Sequence, residues 1–167
     1  MLLNLAEDLT LDASPADVWA LLRDTPRFAG LLPGVQSVRP LDDSGAEAYA
    51  AVVHDKIGPF KVTLNLELRV IEATEPVLLK ASLKGADSHN LNRVSGTLQA
   101  ALSPAGQSES QPSPAESPAG TQMRCEASVE VLGKLATLGA IPMKRRTTQL
   151  FAEFARNIQN QFAKETS

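Results

Sequence analysis

The chain has 167 residues and a formal net charge of −3, which suits a single domain over residues 1–167 with one hydrophobic core and excludes a protein-wide electrostatic footprint for nucleic acid. Cys125 is the one cysteine, so no intrachain disulfide can form and a reducing, cytoplasmic setting is expected. No apolar run approaches the ~20 residues that cross a bilayer, and Met1-Leu2-Leu3-Asn4 lacks the basic and apolar regions of a signal peptide.

Leu3, Leu5, Leu9 and Leu11 alternate loosely with polar residues and predict a first strand. Ser14-Pro15-Ala16-Asp17 predicts a helix start. Serine caps the free amides, proline suits the first helical position, and an acid in the first turn complements the dipole. Val18, Trp19, Leu21 and Leu22 supply the apolar face, and Asp24-Thr25-Pro26 ends the helix. Phe28 to Leu32 predicts a second short helical turn, stopped by Pro33-Gly34.

Strands follow. Gln36 to Leu41 is short, with a turn at Asp42-Asp43-Ser44-Gly45. Ala46 to Asp55 reads as extended, with alanines that leave its inward side undecided, and Lys56-Ile57-Gly58-Pro59 breaks the run. Phe60, Val62, Leu64, Leu66, Leu68 and Val70 alternate cleanly with Lys61, Thr63, Asn65, Glu67 and Arg69, the pattern of a strand with one wet face. Ala73 to Pro76 turns it. Leu79, Ala81 and Leu83 form the next inward row. Val94, Gly96, Leu98, Ala100 and Leu102 form another, and Met123, Cys125, Ala127, Val129 and Val131 the last. Residues 105–120 are rich in Pro, Ser and Gly and read as a mobile hairpin loop.

The last segment, Gly133 to Lys164, is long enough for a multi-turn helix. Leu150, Phe151, Phe154, Ile158 and Phe162 form one apolar stripe, with Arg145, Gln149, Glu153, Arg156, Asn160 and Lys164 opposite. Leu135 and Leu138 fall on the polar side of that wheel, and Gly139 and Pro142 lie between the two parts. Proline inside a helix costs about 3 kcal/mol, so a kink or break is expected near 139–142. The order strand, two helices, about six strands, long helix defines an α+β fold. A twisted antiparallel sheet of about six to seven strands wraps the final helix. Such a wrap seldom closes without leaving a hollow.

Chemistry-bearing residues are sparse. His54 and His89 lie on different segments; His54 reads as a surface residue before a ligand or base, and His89 as a turn residue. Cys125, in an inward row, reads as an inert thiol before a nucleophile. No His/Cys/Asp cluster has zinc spacing, and no glycine-rich phosphate loop follows a strand. Lys144-Arg145-Arg146 is the dense basic run. It suits a solvated helix face, an acidic partner or an anionic membrane surface.

Several motifs resemble the carbon monoxide dehydrogenase G-subunit (CoxG) family of the START-like, helix-grip superfamily. They are Ala13-Ser14-Pro15-Ala16-Asp17-Val18-Trp19 with Leu22 and Asp24, Leu32-Pro33-Gly34, Lys56-Ile57-Gly58-Pro59, and Gly133-Lys134-Leu135-Ala136-Thr137-Leu138-Gly139 with Phe151 and Phe154. The resemblance implies a hydrophobic tunnel between sheet and helix, no catalysis by this chain and no cofactor beyond a ligand such as a quinone or lipid. It also implies service to a molybdenum hydroxylase of the carbon monoxide dehydrogenase type, by recruiting it to the membrane or carrying quinone to it. By that analogy Leu64, Leu66, Leu83, Leu98, Val129, Leu138, Phe151 and Phe154 line the tunnel, joined by Tyr49 and Val53 if the strand phase matches. Gly85 to Arg93 stands where the family usually carries a glycine-rich stretch, and the 105–120 insert is not a family feature. Two other readings stay open. A cyclase-type enzyme of the superfamily would need Tyr49, His54, Asp55 or Arg93 to converge in the pocket. A surface-acting assembly factor would work through Lys144, Arg145 and Arg146.

Overall fold

The computed structural model runs in the order β1 (Leu2–Leu11), α1 (Pro15–Arg23), α2 (Thr25–Ala29), β2 (Val35–Pro40), β3 (Ala48–Ile57), β4 (Phe60–Thr74), β5 (Leu78–Asp87), β6 (Asn92–Pro104) and β7 (Thr121–Gly133). A 3-10 turn (Lys134–Leu138) and α3 (Ala140–Glu165) complete it. The structure describes residues 1–41, 47–89, 91–104 and 120–165, the last three by backbone alone. The turn expected at 42–45, the loop expected at 105–120 (Gly120 aside) and the side chain of Lys164 lie outside the described residues.

The seven strands form one antiparallel sheet in the order β1-β7-β6-β5-β4-β3-β2, with two short helices after β1 and the long helix last, as the α+β reading expects. Register settles which side chains share a face. Tyr49 stands opposite Leu68, Ala51 opposite Leu66 and Val53 opposite Leu64, so the alternation of β4 assigns the ambiguous phase of β3. The same ladders join Leu68 to Leu83, Leu83 to Gly96 and Gly96 to Val129. All these residues face α3. Curling is helped by absent side chains: a Cβ at Gly96 would run into the Ser128 carbonyl, and one at Gly85 into the Asn65 carbonyl.

Two local expectations shift. The second helix begins at Thr25, not Phe28, because Pro26 suits a first helical turn; the Asp24 carbonyl accepts from the Phe28 amide at 2.9 Å. Thr25-Pro26 therefore starts a helix where it was expected only to end one. β4 also runs past Val70 to Thr74, with a register shift between Val70 and Glu72 that leaves Ile71 56% exposed. The Ser14 hydroxyl caps α1 as expected, accepting from the Asp17 amide at 3.2 Å.

The expected interruption of the last helix is a full break. Gly139 adopts φ +85°, the left-handed region, between the 3-10 turn and α3. Pro142 then lies in the first turn of α3, where no intrahelical donor is lost. The break rotates Leu135 inward, to 2% exposure, so its position on a continuous wheel does not apply.

Two apolar clusters result. The larger joins Phe154, Ile158 and Phe162 of α3 to Leu9, Leu11, Leu102, Met123 and the inner face of α1. The smaller joins Met143 and Leu135 to Val62 and Val131. A polar knot fastens the smaller one. The Asp87 carboxylate accepts from the Leu91 amide (2.7 Å) and from Asn92 Nδ2 (2.9 Å), while Asn92 Oδ1 accepts from the buried Leu135 amide at 2.8 Å.

Asn92→Ala would orphan the Leu135 amide, and an unsatisfied buried donor costs about 1–3 kcal/mol; chemical denaturation should show a loss of that size. Acid should loosen the same knot. Burial opposes ionisation of Asp87, but the hydrogen bonds from Asn92 and Leu91 outweigh it and hold the pKa below the ordinary 3.8. The stabilisation is therefore complete above 3.8 and is lost as pH falls through the lowered native value. An acid series of thermal melts should show a shallower decline for Asp87→Asn than for the wild type.

Candidate functional site

Between the two clusters, the middle of the concave face is apolar and uncovered. Leu66, Leu68, Val70, Leu83 and Leu98 point toward α3, yet each is only half-buried. Among the described residues, none of these five belongs to either cluster. Their neighbours in the ladders are small: Ala51 beside Leu66, Ala81 beside Val70 and Leu98, Ala127 beside Leu98, and the two glycines. Large aliphatic side chains on a floor of alanine and glycine, beneath a helix anchored by one cluster at each end, give this face an apolar character.

Polar ties stand at the ends of this region. At one, Arg23 Nη2 donates to Glu47 Oε1 at 2.6 Å and the Tyr49 hydroxyl donates to Glu47 Oε2 at 2.9 Å. Burial opposes ionisation of Glu47, but those two hydrogen bonds and the Arg23 charge lower its pKa. At the other, Arg146 binds Asp55 through Nη2 (2.6 Å) and Nε (3.1 and 3.2 Å), a two-pronged pair between α3 and β3. Six residues of β3 separate Tyr49 from Asp55, about 20 Å.

The ten residues proposed from the sequence for a tunnel wall divide among these regions. Tyr49, Val53, Leu66, Leu83 and Leu98 lie on the uncovered middle of the concave face or at its margins. Leu64, Val129 and Leu138 lie against the smaller cluster, while Phe154 is buried in the larger, with Phe151 against it. Leu68 and Val70 belong to the middle and were legible from the same alternation; Ala51, Ala81 and Ala127 carried only their place in a row. The Arg23–Glu47–Tyr49 tie, joining a helix end to a strand start, had no sequence signal.

Of the basic run, Lys144 and Arg145 are exposed, whereas Arg146 is committed to Asp55. The structure adds Lys56, Lys61 and Lys134 at the same end, all exposed and without an ion pair among the described residues. Three of the motifs meet there as well. A Cβ at Gly58 would lie 3.7 Å from the Leu138 side chain, and the Gly34 carbonyl accepts from the His54 amide at 2.8 Å. Among Tyr49, His54, Asp55 and Arg93, only Tyr49 and Asp55 face inward, each already engaged; His54 and Arg93 are exposed on the opposite side. Two open recesses of about 370 and 670 Å³ are lined mainly by outward-facing residues of the sheet, the larger reaching Leu66 and Val94 as well. Asn4, Thr97, Gln99 and Glu126 are among those lining the first; the second mixes Asn65, Glu67, Lys84 and Arg93 with Leu41, Leu66, Val94 and Leu132.

A seven-stranded antiparallel sheet gripping a C-terminal helix is the START-like, helix-grip architecture. A conserved protein from Geobacillus kaustophilus shares it at 22% identity and a TM-score of 0.79, covering 97% of this chain and 96% of that one. A START superfamily protein from Mycobacterium smegmatis does so at 12% identity and 0.66, over 96% and 97% of the two chains. A Thalictrum norcoclaurine synthase does so at 16% and 0.63, over 100% and 98%. A search of curated proteins finds no match. The chain belongs to the carbon monoxide dehydrogenase G-subunit (CoxG) family, whose model matches residues 8–163.

Cys125, beside this region, is half-buried; burial first, then the Asp8 charge, pushes its thiol up to about 12. Iodoacetamide at about pH 8 should leave native protein unmodified, since the thiolate is the reactive form. Intact mass should show one adduct only after denaturation.

Proposed function

We propose that this chain is a non-catalytic carrier of an apolar ligand, a lipid or a quinone, held between α3 and the middle of the sheet. The observation that carries this reading is the row of half-buried aliphatic side chains, Leu66, Leu68, Val70, Leu83 and Leu98, that neither core covers. Among the described residues the inward-facing polar candidates, Tyr49 and Asp55, stand at opposite ends of the region and are each already engaged, which favours binding over a cyclase-type reaction. Family membership favours service to a molybdenum hydroxylase of the carbon monoxide dehydrogenase type. Peripheral association with the inner membrane face is supported by the exposed cations Lys56, Lys61, Lys134, Lys144 and Arg145 at one end of an otherwise acidic chain. Among the described residues no helix is long and apolar enough to cross a membrane.

Native mass spectrometry of protein from its own host, followed by organic extraction, tests the carrier reading. A co-purifying lipid or quinone is expected in the wild type. It should be lost in Leu66→Glu, because a charge facing an apolar ligand must be desolvated; at least a ten-fold weaker uptake of added quinone is expected. Wild-type protein that arrives empty and takes up neither quinone nor lipid would sink the reading. Binding of the partner enzyme that survives Leu66→Glu but fails in a Lys144→Glu, Arg145→Glu variant would move the function to the surface.

A further inference from the structure

α3 borders the sheet along two seams that are built differently. On the β1 side it is stitched closely: Phe154, Ile158 and Phe162 lie among Leu9 and Leu11, and Gln159 Nε2 donates to the Thr10 carbonyl at 3.2 Å. On the side toward β3 and the α2–β2 connection, the Phe28 ring meets Phe154 edge-on at 5.6 Å over the C-terminal half of α3, and there are two polar ties. One is Arg146 to Asp55; the other is Asn157 Nδ2 donating to the Leu31 carbonyl at 3.0 Å. Arg146 and Asn157 are eleven residues apart, three turns and about 20°, so they stand on one line of the helix about 16 Å apart. Leu150 and Glu153 lie on that line between them. Among the described residues neither makes a side-chain hydrogen bond or ion pair to the sheet; Leu150 is half-buried and Glu153 exposed. Across the seam, Val53 stands two residues from Asp55 on the same face, paired with Leu64 of the concave surface.

We propose that this seam is the door by which an apolar ligand reaches the concave face, and that the Arg146–Asp55 pair is its latch. The proposal rests on the reading of that face as a ligand site. The pair is suited to the task. Its side chains are 32% and 15% exposed, so it is shielded enough to hold and wet enough to break and re-form. A released Arg146 is not stranded. Gln149 Oε1 already accepts from its Nη1 at 3.3 Å, and the Glu153 charge acts on it from the same helix. Opening then begins with new rotamers for Arg146 and Leu150. The opposite seam, filled by three buried side chains of α3, offers no such path.

Stopped-flow exchange of N-phenyl-1-naphthylamine, an uncharged apolar fluorophore, on the full chain tests the latch. Arg146→Gln should accelerate association and dissociation together, roughly three- to ten-fold, and leave Kd within about two-fold. Added salt should speed exchange in the wild type and not in the variant, a response that a merely structural role would not produce. In a Cys125→Ala background, Asp55→Cys and Arg146→Cys joined by a short bismaleimide should slow both rates. A wild type that takes up no probe overturns the ligand site and the door with it. Uptake at rates indifferent to Arg146→Gln, salt and the cross-link overturns the door alone and leaves the ligand site standing.

Discussion

α3 is held down at two places by two separate apolar clusters, and the distance between them governs the rest of the molecule. Phe154, Ile158 and Phe162 anchor one half on β1 and α1; Met143, with Leu135 ahead of the break, anchors the other on Val62 and Val131. A helix pinned at both ends cannot settle onto the floor of a curled sheet. The aliphatic row beneath it stays half-covered. Full burial of a leucine is worth about 1.5–3 kcal/mol, so the native fold forgoes part of that stabilisation at each of five positions. An apolar ligand that completed the burial would recover it, which ties binding to stability by mass action.

Polar groups keep to the margins of this arrangement, and most have a structural task. Asn92 and Asp87 fasten the β5–β6 turn to the 3-10 turn. The Thr121 hydroxyl donates to the Ala13 carbonyl at 2.6 Å, joining β7 to the entrance of α1. Arg23, Glu47 and Tyr49 tie a helix end to β3, and Arg146 ties α3 to the same strand. Among the described residues no buried side-chain nitrogen or oxygen is left without a partner. The inner surface is thus apolar in its middle and polar at its ends, the pattern of a site that holds a molecule by shape and solvation.

Much of this was legible because a sheet with one wet face writes its inward rows into the sequence. Leu66, Leu83 and Leu98 could be placed on inward rows from period-two alternation. The break at Gly139 announced itself twice, by proline chemistry and by the change of helical phase. Legibility failed where neighbours in space are distant in sequence. The alanines of β3 have no phase of their own until they are laid against β4. Lys144, Arg145 and Arg146 read as one basic run, yet a turn of helix and the position of Asp55 set Arg146 apart from the other two. Thr25-Pro26 is compatible with both the end of one helix and the start of the next, and only the Asp24–Phe28 hydrogen bond chooses.

By itself the sequence determined the class of fold, the inward rows of the strands, the stripe of α3 and the family motifs. Each is a local pattern of side-chain chemistry imposed by a backbone period of 2 or 3.6. Tertiary structure alone decided that the apolar residues divide into two cores with an uncovered middle. It also decided that one seam of α3 is closed by packing along its length, while the other adds an ion pair and a side-chain hydrogen bond beside the Phe28–Phe154 contact. Both depend on how far a roofing helix stands from a curved floor, and that distance is set by contacts between residues far apart in the chain.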